Sequence, residues 1–291
     1  MLTDILQQVA NGLALGSVYA LIAVGFTMVY GILFFINLPH GDMMMVGTYV
    51  VLACLLLQMP FMLAVLAGLA FSAILGVTTE FLAYRRLRRA RRLAPLLSAV
   101  GLSYVFANSI QVIAGPAPRR FETPISGTVP LGPVTLPTSV IVIVATTVAI
   151  AIALEYFVNR TRLGTAIRAA SQDLAATSLM GVSVNMIISL TFGISGMLAV
   201  AGGVMIGLRY GTVSPNIGFA FMLKAFAACV LGGIGKIRGA IIGGVVLGLA
   251  EVVAVAFISS AYRDAIAFAI LVATLLIRPT GILGGRSEVA V

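Results

Sequence analysis

From Ile5 to Gly41 the chain reads ILQQVANGLALGSVYALIAVGFTMVYGILFFINLPHG, thirty-seven residues without Asp, Glu, Lys or Arg. As one helix they would extend about 55 Å, well beyond the roughly 30 Å hydrocarbon core of a bilayer. The run must therefore tilt, break or divide. Asn37-Leu38-Pro39-His40-Gly41-Asp42 is the break. Pro39 lacks an amide hydrogen, and its ring disfavours helix at Leu38. The first span is read as 9–34.

The rest of the chain repeats this pattern. Of 291 residues, 60% are hydrophobic and 9% charged, against about a quarter charged in soluble domains. A water-soluble globular protein is excluded. Further apolar runs cover 43–58, 61–84, 94–114, 139–158, 186–208, 217–233, 239–259 and 264–278. The prediction is an all-α, polytopic transmembrane helical bundle of about eight or nine apolar runs, some of them broken half-helices, forming one domain over 1–291. Residues 115–138 hold six prolines and read as an external loop with a short hairpin. The 159–185 stretch is polar. No room remains for a nucleotide-binding module, and no GxxxxGK[ST] loop occurs. Cys54 and Cys229 both lie in apolar runs and make no disulfide framework.

The charge distribution orients the bundle. The net charge of +9 collects in short loops, which favours a membrane reading over nucleic acid. Arg85, Arg86, Arg88, Arg89, Arg91 and Arg92 form one block, placed in the cytoplasm by the positive-inside rule. Alternation then puts thirteen of the eighteen basic residues inside, including Arg160, Arg162, Arg168, Lys236, Arg238, Arg278 and Arg286. Only Arg119, Arg120, Arg209 and Arg263 fall outside.

Small residues predict how the helices pack. Gly12, Gly16 and Ala20 recur every four residues, as do Gly235, Gly239 and Gly243, then Gly244 and Gly248. Such spacing lets helix backbones approach closely in lipid. Pro39 and Gly41 at the first break, and Gly232, Gly233 and Gly235 at a later one, mark turns. Two echoes point to an internal repeat. Glu80 and Glu155 each precede an aromatic and an Arg at an inner span end, and the breaks at 37–42 and 232–236 lie in opposite halves.

Little supports catalysis. There is no HExxH and no CxxC, and one histidine makes no metal site, so no metal or cofactor is expected. Gly193-Ile194-Ser195-Gly196 resembles a serine-nucleophile turn, but in an apolar helix small residues serve packing. Ionisable residues inside spans are the default functional candidates. These are His40 and Asp42 beside the first break, and Lys224 and Glu251 in two consecutive runs. Counting from the turn between those runs predicts that Lys224 and Glu251 pair.

In 159–185, Thr165 is positioned to cap a helix running to Met180, with Gly181 at its C-terminal cap. It is alanine-rich and lacks the large apolar residues of a lipid-resting helix. The segment Thr161-Arg162-Leu163-Gly164-Thr165-Ala166-Ile167-Arg168-Ala169-Ala170, with Asp173, Ala175-Ala176 and Gly181, resembles the coupling loop of ABC importer permeases of the branched-chain amino acid (LivH-like) type. Gly12 to Gly25, Ile36 to Asp42, Val230 to Gly244 and Arg278-Pro279-Thr280-Gly281 resemble other segments of the family. The likeness spans about residues 9–284.

The resemblance implies a permease subunit moving branched-chain or other neutral amino acids across the bacterial inner membrane. It implies a second homologous permease, two cytoplasmic ATPase subunits and a periplasmic binding protein. Gly164, Arg168, Asp173, Ala175, Ala176 and Gly181 would then couple to the ATPase. Urea or short amides are an alternative cargo, and an ion-coupled secondary carrier is the rival class.

Overall fold

The computed structural model describes residues 2–88, 90, 93–125, 127–131, 134–257 and 259–284. Arg89, Arg91, Arg92, Pro133 and Arg286 lie outside the described residues. Eight helices among those described are long and apolar enough to cross a membrane, and Ile217–Gly232 is a shorter ninth. The helices are α1 (Leu2–Leu33), α2 (Pro39–Leu56), α3 (Phe61–Thr79), α4 (Leu93–Ala114), α5 (Thr138–Arg160), α6 (Arg162–Gln172), α7 (Leu174–Leu179), α8 (Val184–Tyr210), α9 (Ile217–Gly232), α10 (Ile237–Phe257) and α11 (Arg263–Ile277). Strands β1 (Arg119–Arg120) and β4 (Thr212–Val213) pair antiparallel. So do β2 (Thr128–Leu131) and β3 (Val134–Pro137), the hairpin of the proline-rich loop.

The first break lies slightly earlier than expected. Pro39 does not interrupt a helix; it begins α2, where its missing N–H would be unpaired in any case. The reversal falls at Phe34, whose φ is +54°. Residues 34–38 then run back along α1. His40 reaches the carbonyl of Ile22 at 3.0 Å, eleven positions before Leu33 and therefore about 16 Å up the helix. Tyr84 holds this returning segment: its ring stacks on Phe35 at 4.8 Å, and its hydroxyl donates to Asn37 Oδ1 at 3.0 Å.

Helix α2 thus starts inside the bundle, and so does α9. A Cβ on Gly218 would lie 2.7 Å from the carbonyl oxygen of Gly41, so the starts of α2 and α9 touch. They arrive from opposite ends. The segment before α2 comes from the end holding Tyr84 and Arg85, and the one before α9 from the end where β1 meets β4. The counterpart of the 37–42 break is therefore 212–218. Residues 232–236 instead form the turn between α9 and α10, with Gly233 at φ +110° and Gly235 at φ +86°. That turn is strapped by residues 281–284. Ile282 N–H donates to the Leu231 carbonyl at 2.8 Å and Leu283 N–H to that of Gly232 at 3.0 Å.

Helix α1 is central, and α10 is its most extensive partner. The small residues meet across this contact. A Cβ on Gly16 would sit 2.7 Å from Val245 Cα, one on Gly244 would sit 2.6 Å from Ala20 Cα, and one on Gly248 would overlap the Gly16 backbone. Lipid tails give apolar helices no hydrophobic reason to associate, so this backbone-level fit supplies dispersion contact instead. Gly239 and Gly243 do the same for the α9–α10 hairpin, against Gly232 and Ala228.

Candidate coupling surface and buried ionisable residues

At one end of the bundle the 159–185 stretch folds as two helices. The single helix expected over 165–180 is broken at Asp173, whose backbone is extended. Its Oδ1 accepts from the amides of Ala175 at 2.7 Å and Ala176 at 3.0 Å. An aspartate that captures those amides starts a new helix rather than continuing the old one. The cap of α6 is Thr161, whose Oγ1 accepts from Gly164 N–H at 3.0 Å; Thr165 lies within the helix. Gly181 takes φ +79° just past α7, as expected of a glycine that ends a helix.

These helices have an inner and an outer side. Gly164, Ile167 and Ala170 are buried. Ile167 and Ala170 join a cluster with Tyr84, Ile188 and Phe192, against which Phe35 and Leu38 pack. A Cβ on Gly164 would overlap the carbonyls of Phe157 and Val158. Arg168, Asp173, Ala175 and Ala176 face outward. So do Leu179, 88% exposed, and Met180, 82% exposed. The sequence reading passed over these two large apolar side chains projecting from a polar loop, an exposure uncommon on a surface without a partner.

Both inner-end glutamates are paired. Glu80 is fully buried at a π-helical turn, Glu80–Tyr84, that ends α3. It accepts from Arg85 Nη2 at 2.6 Å and Ser189 Oγ at 2.9 Å, and from Arg88. Arg88 also donates to Asn185 at 2.8 Å. The carboxylate thereby ties α3 and the arginine block to the start of α8, directly after the two short helices. Hydrogen bonding to Glu80 raises the pKa of Arg85, while burial lowers that of Arg88. Glu155 accepts from Arg238 at 2.5 Å. They border an open cleft of about 1290 Å³, also lined by Arg160, Arg168 and Lys236. Four basic residues assigned to the inner side, Arg160, Arg168, Lys236 and Arg238, thus gather around this one cleft.

The four ionisable candidates are all internal: His40 and Glu251 are 0% exposed, Asp42 4% and Lys224 6%. A carbonyl only accepts, so His40 Nε2 carries the proton toward Ile22, and Nδ1 accepts from Ser195 Oγ at 3.1 Å. Ser195 is therefore a partner of the buried histidine, which has no second nitrogen free for a substrate. Asp42 accepts from Ser103.

Lys224 and Glu251 pair at 3.1 Å, within a larger network. Asp264 lies 2.8 Å from Lys224, Arg263 lies 3.2 Å from Glu251, and Tyr19 donates to Glu251 at 2.8 Å. The network joins α1, α9, α10 and the start of α11. Arg263-Asp264 opens the last apolar run, and that adjacent pair of opposite charges was the signal available for it. No group of three or more His, Cys, Asp or Glu side chains able to hold a metal occurs among the described residues.

A multi-pass helical bundle of this kind, with two helices starting inside it from opposite ends and a structured polar loop at one end, has the architecture of a membrane permease. The chain belongs to the family described as the branched-chain amino acid transport system permease component, whose profile matches residues 8–275. It is 42% identical to the high-affinity branched-chain amino acid transport system permease protein BraD of Pseudomonas aeruginosa, over 98% of this chain and 97% of the relative. It is 41% identical to the permease protein LivH of Escherichia coli K12, over 98% and 96%. The ribose import permease protein RbsC of the same strain is 30% identical over 85% and 75%. No solved structure matches the chain.

Proposed function

We propose that this chain is one permease subunit of an ATP-driven importer of branched-chain amino acids in the bacterial inner membrane, acting as a single domain over 1–291. Its partners are a second homologous permease, two cytoplasmic ATPase subunits and a periplasmic binding protein. The observation that carries the reading is the near full-length identity of 41–42% to branched-chain amino acid permeases. The loop geometry agrees with it. On this reading Gly164 seats α6 against α5, and Asp173 and Gly181 fix the two ends of α7. Arg168, Ala175 and Ala176 present the face that meets the ATPase, with Leu179 and Met180 as its apolar anchors. His40, Asp42, Lys224 and Glu251 support the translocation route from inside the wall of the bundle. The test is reconstitution. Proteoliposomes containing this chain with a homologous permease, ATPases and binding protein of a branched-chain amino acid importer should accumulate leucine only with ATP and binding protein. Leucine uptake by the purified chain alone would refute the reading.

A further inference from the structure

The basic residues at the inner end of the bundle are not all neutralised within the protein. Arg85 and Arg88 are paired with the buried Glu80. The cleft between the inner ends of α5 and α10 is different. Arg160, Arg168, Lys236 and Arg238 line it, and Glu155 is its one acidic lining residue. Glu155 is engaged by Arg238 at 2.5 Å and by the Asn159 amide at 2.7 Å. Arg160, Arg168 and Lys236 have no acidic partner among the described residues. Lys236 donates to the Leu283 carbonyl at 2.6 Å and Arg168 to the Thr165 hydroxyl at 3.4 Å, bonds that neutralise neither charge. Three positive charges thus stay uncompensated around one open cleft.

The cleft also has apolar walls, from Ala151 and Ile152 of α5 and Ile237 and Ile241 of α10. Along α5, Val148, Ile152, Tyr156 and Arg160 follow every four residues and are all exposed, so they share one face. Toward the inner end this line passes from aliphatic to aromatic to basic. Along α10, the exposed Val246, Ile242 and Arg238 run from aliphatic to basic at the same spacing. Arg160 lies eight residues, about 12 Å, beyond Ile152. A phospholipid meets the same succession from acyl chain to phosphate. Aromatic side chains sit at the headgroup level, and basic clefts between helices on the cytoplasmic side take anionic headgroups. A guanidinium also matches a phosphate in geometry as well as charge. The cleft volume of about 1290 Å³ exceeds the roughly 300–1,000 Å³ of small-molecule pockets, more room than a lone anion fills.

We propose that this cleft is a binding site for an anionic phospholipid. Its phosphodiester sits between Arg160 of α5 and Lys236 of the α9–α10 turn, and an acyl chain lies along Ile152 and Ile241. Arg238, held by Glu155, supports the headgroup from α10. The bound lipid joins α5 to the α9–α10 turn directly beside α6. It belongs to the inner leaflet in the orientation read from the basic residues.

The chain contains no Trp, so Tyr156→Trp, at a position 65% exposed, supplies a single fluorophore. Ile152→Trp, equally exposed, is the second reporter should the first not fold. The full chain, in nonionic detergent micelles, is titrated with phosphatidylglycerol or phosphatidylcholine brominated on the acyl chains, which quench a Trp they touch. Phosphatidylglycerol should half-quench at about tenfold lower mole fraction than phosphatidylcholine, given about fivefold in affinity per basic residue near an anionic lipid. Arg160→Gln should reduce that ratio about fivefold. Arg86→Gln, the same charge loss at an exposed residue of another inner loop, should leave it unchanged. Equal quenching by the two lipids, or an equal loss in Arg86→Gln, would overturn the site. A preference erased by millimolar inorganic phosphate at constant ionic strength would assign the cleft to a soluble anion. One erased by bound ATPase subunits, with the Tyr156 parent as background, would assign it to their interface. Either result would overturn the lipid.

Discussion

The network around Glu251 makes a quantitative prediction. Removing one member of a buried ion pair ordinarily costs about 3–5 kcal/mol, because the other is left unpaired. Here neither single change fully strands its partner. Lys224→Met leaves Glu251 with Arg263 at 3.2 Å and the Tyr19 hydroxyl at 2.8 Å. Glu251→Gln leaves Lys224 with Asp264 at 2.8 Å, and the new amide still accepts from Tyr19. Each single change should therefore cost less than the full penalty, about 1–3 kcal/mol. The double variant Lys224→Met, Glu251→Gln should be more stable than the sum of the singles by about 1–2 kcal/mol, the coupling expected of residues in contact. Asp264, with a side chain 69% exposed, lies in a more polar setting, so Asp264→Asn should cost below about 1 kcal/mol. The measurement is the folded fraction of each variant in mild detergent titrated with sodium dodecyl sulfate. Additivity of the two singles within about 0.5 kcal/mol would refute the pairing. A loss for Asp264→Asn equal to that for Glu251→Gln would refute the placement of Glu251 as the buried centre of the network.

Three further outcomes follow from other parts of the molecule. Leu179→Asp with Met180→Asp, or Ala176→Arg, should abolish ATP-dependent leucine uptake while leaving membrane insertion and detergent stability unchanged; normal uptake in both would remove the ATPase-docking role of the loop. Gly248→Val places a branched side chain on the backbone of Gly16 and should cost at least about 3 kcal/mol in the same detergent titration, whereas Gly101→Val, which meets open space, should cost less than about 1 kcal/mol. Single cysteines at Ser171 and Glu122 should be labelled from opposite sides of the membrane, Ser171 from the cytoplasm; labelling of both from one side would overturn the orientation.

The spans were legible because about twenty consecutive apolar residues admit little else, and the small-residue interface because glycine and alanine every four residues line one face of a helix. Lys224 and Glu251 were legible as a pair because two charges in adjoining apolar runs each need a partner. The structure adds Arg263 and Asp264, which the sequence reading left at the outer end of a span. What local reading missed depends on competition between local and distant contacts. Asp173 sits among good helix formers, and only the capture of two amides by its side chain shows that it divides them. Pro39 was legible as a disruption but not as a first helical residue, because the two differ only in what precedes them. The meeting of Gly41 with Gly218 was hidden for another reason. Gly41 was marked only as part of the first break and Gly218 was not marked at all, and their contact follows from two chain segments re-entering the bundle from opposite ends.

The arrangement also explains why the most conspicuous residues of the sequence do not themselves form an open site. A charge inside a span must be neutralised within the protein, so Lys224, Glu251 and Glu80 are drawn into ion pairs and His40 into hydrogen bonds with Ile22 and Ser195. Groups that meet a transiting solute must instead remain unpaired and exposed, and in an apolar sequence these are the uncharged polar residues that hydropathy reads as neutral. On α4, Tyr104 and Asn108 are exposed residues of this kind, and the Tyr104 hydroxyl has no hydrogen-bond partner among the described residues.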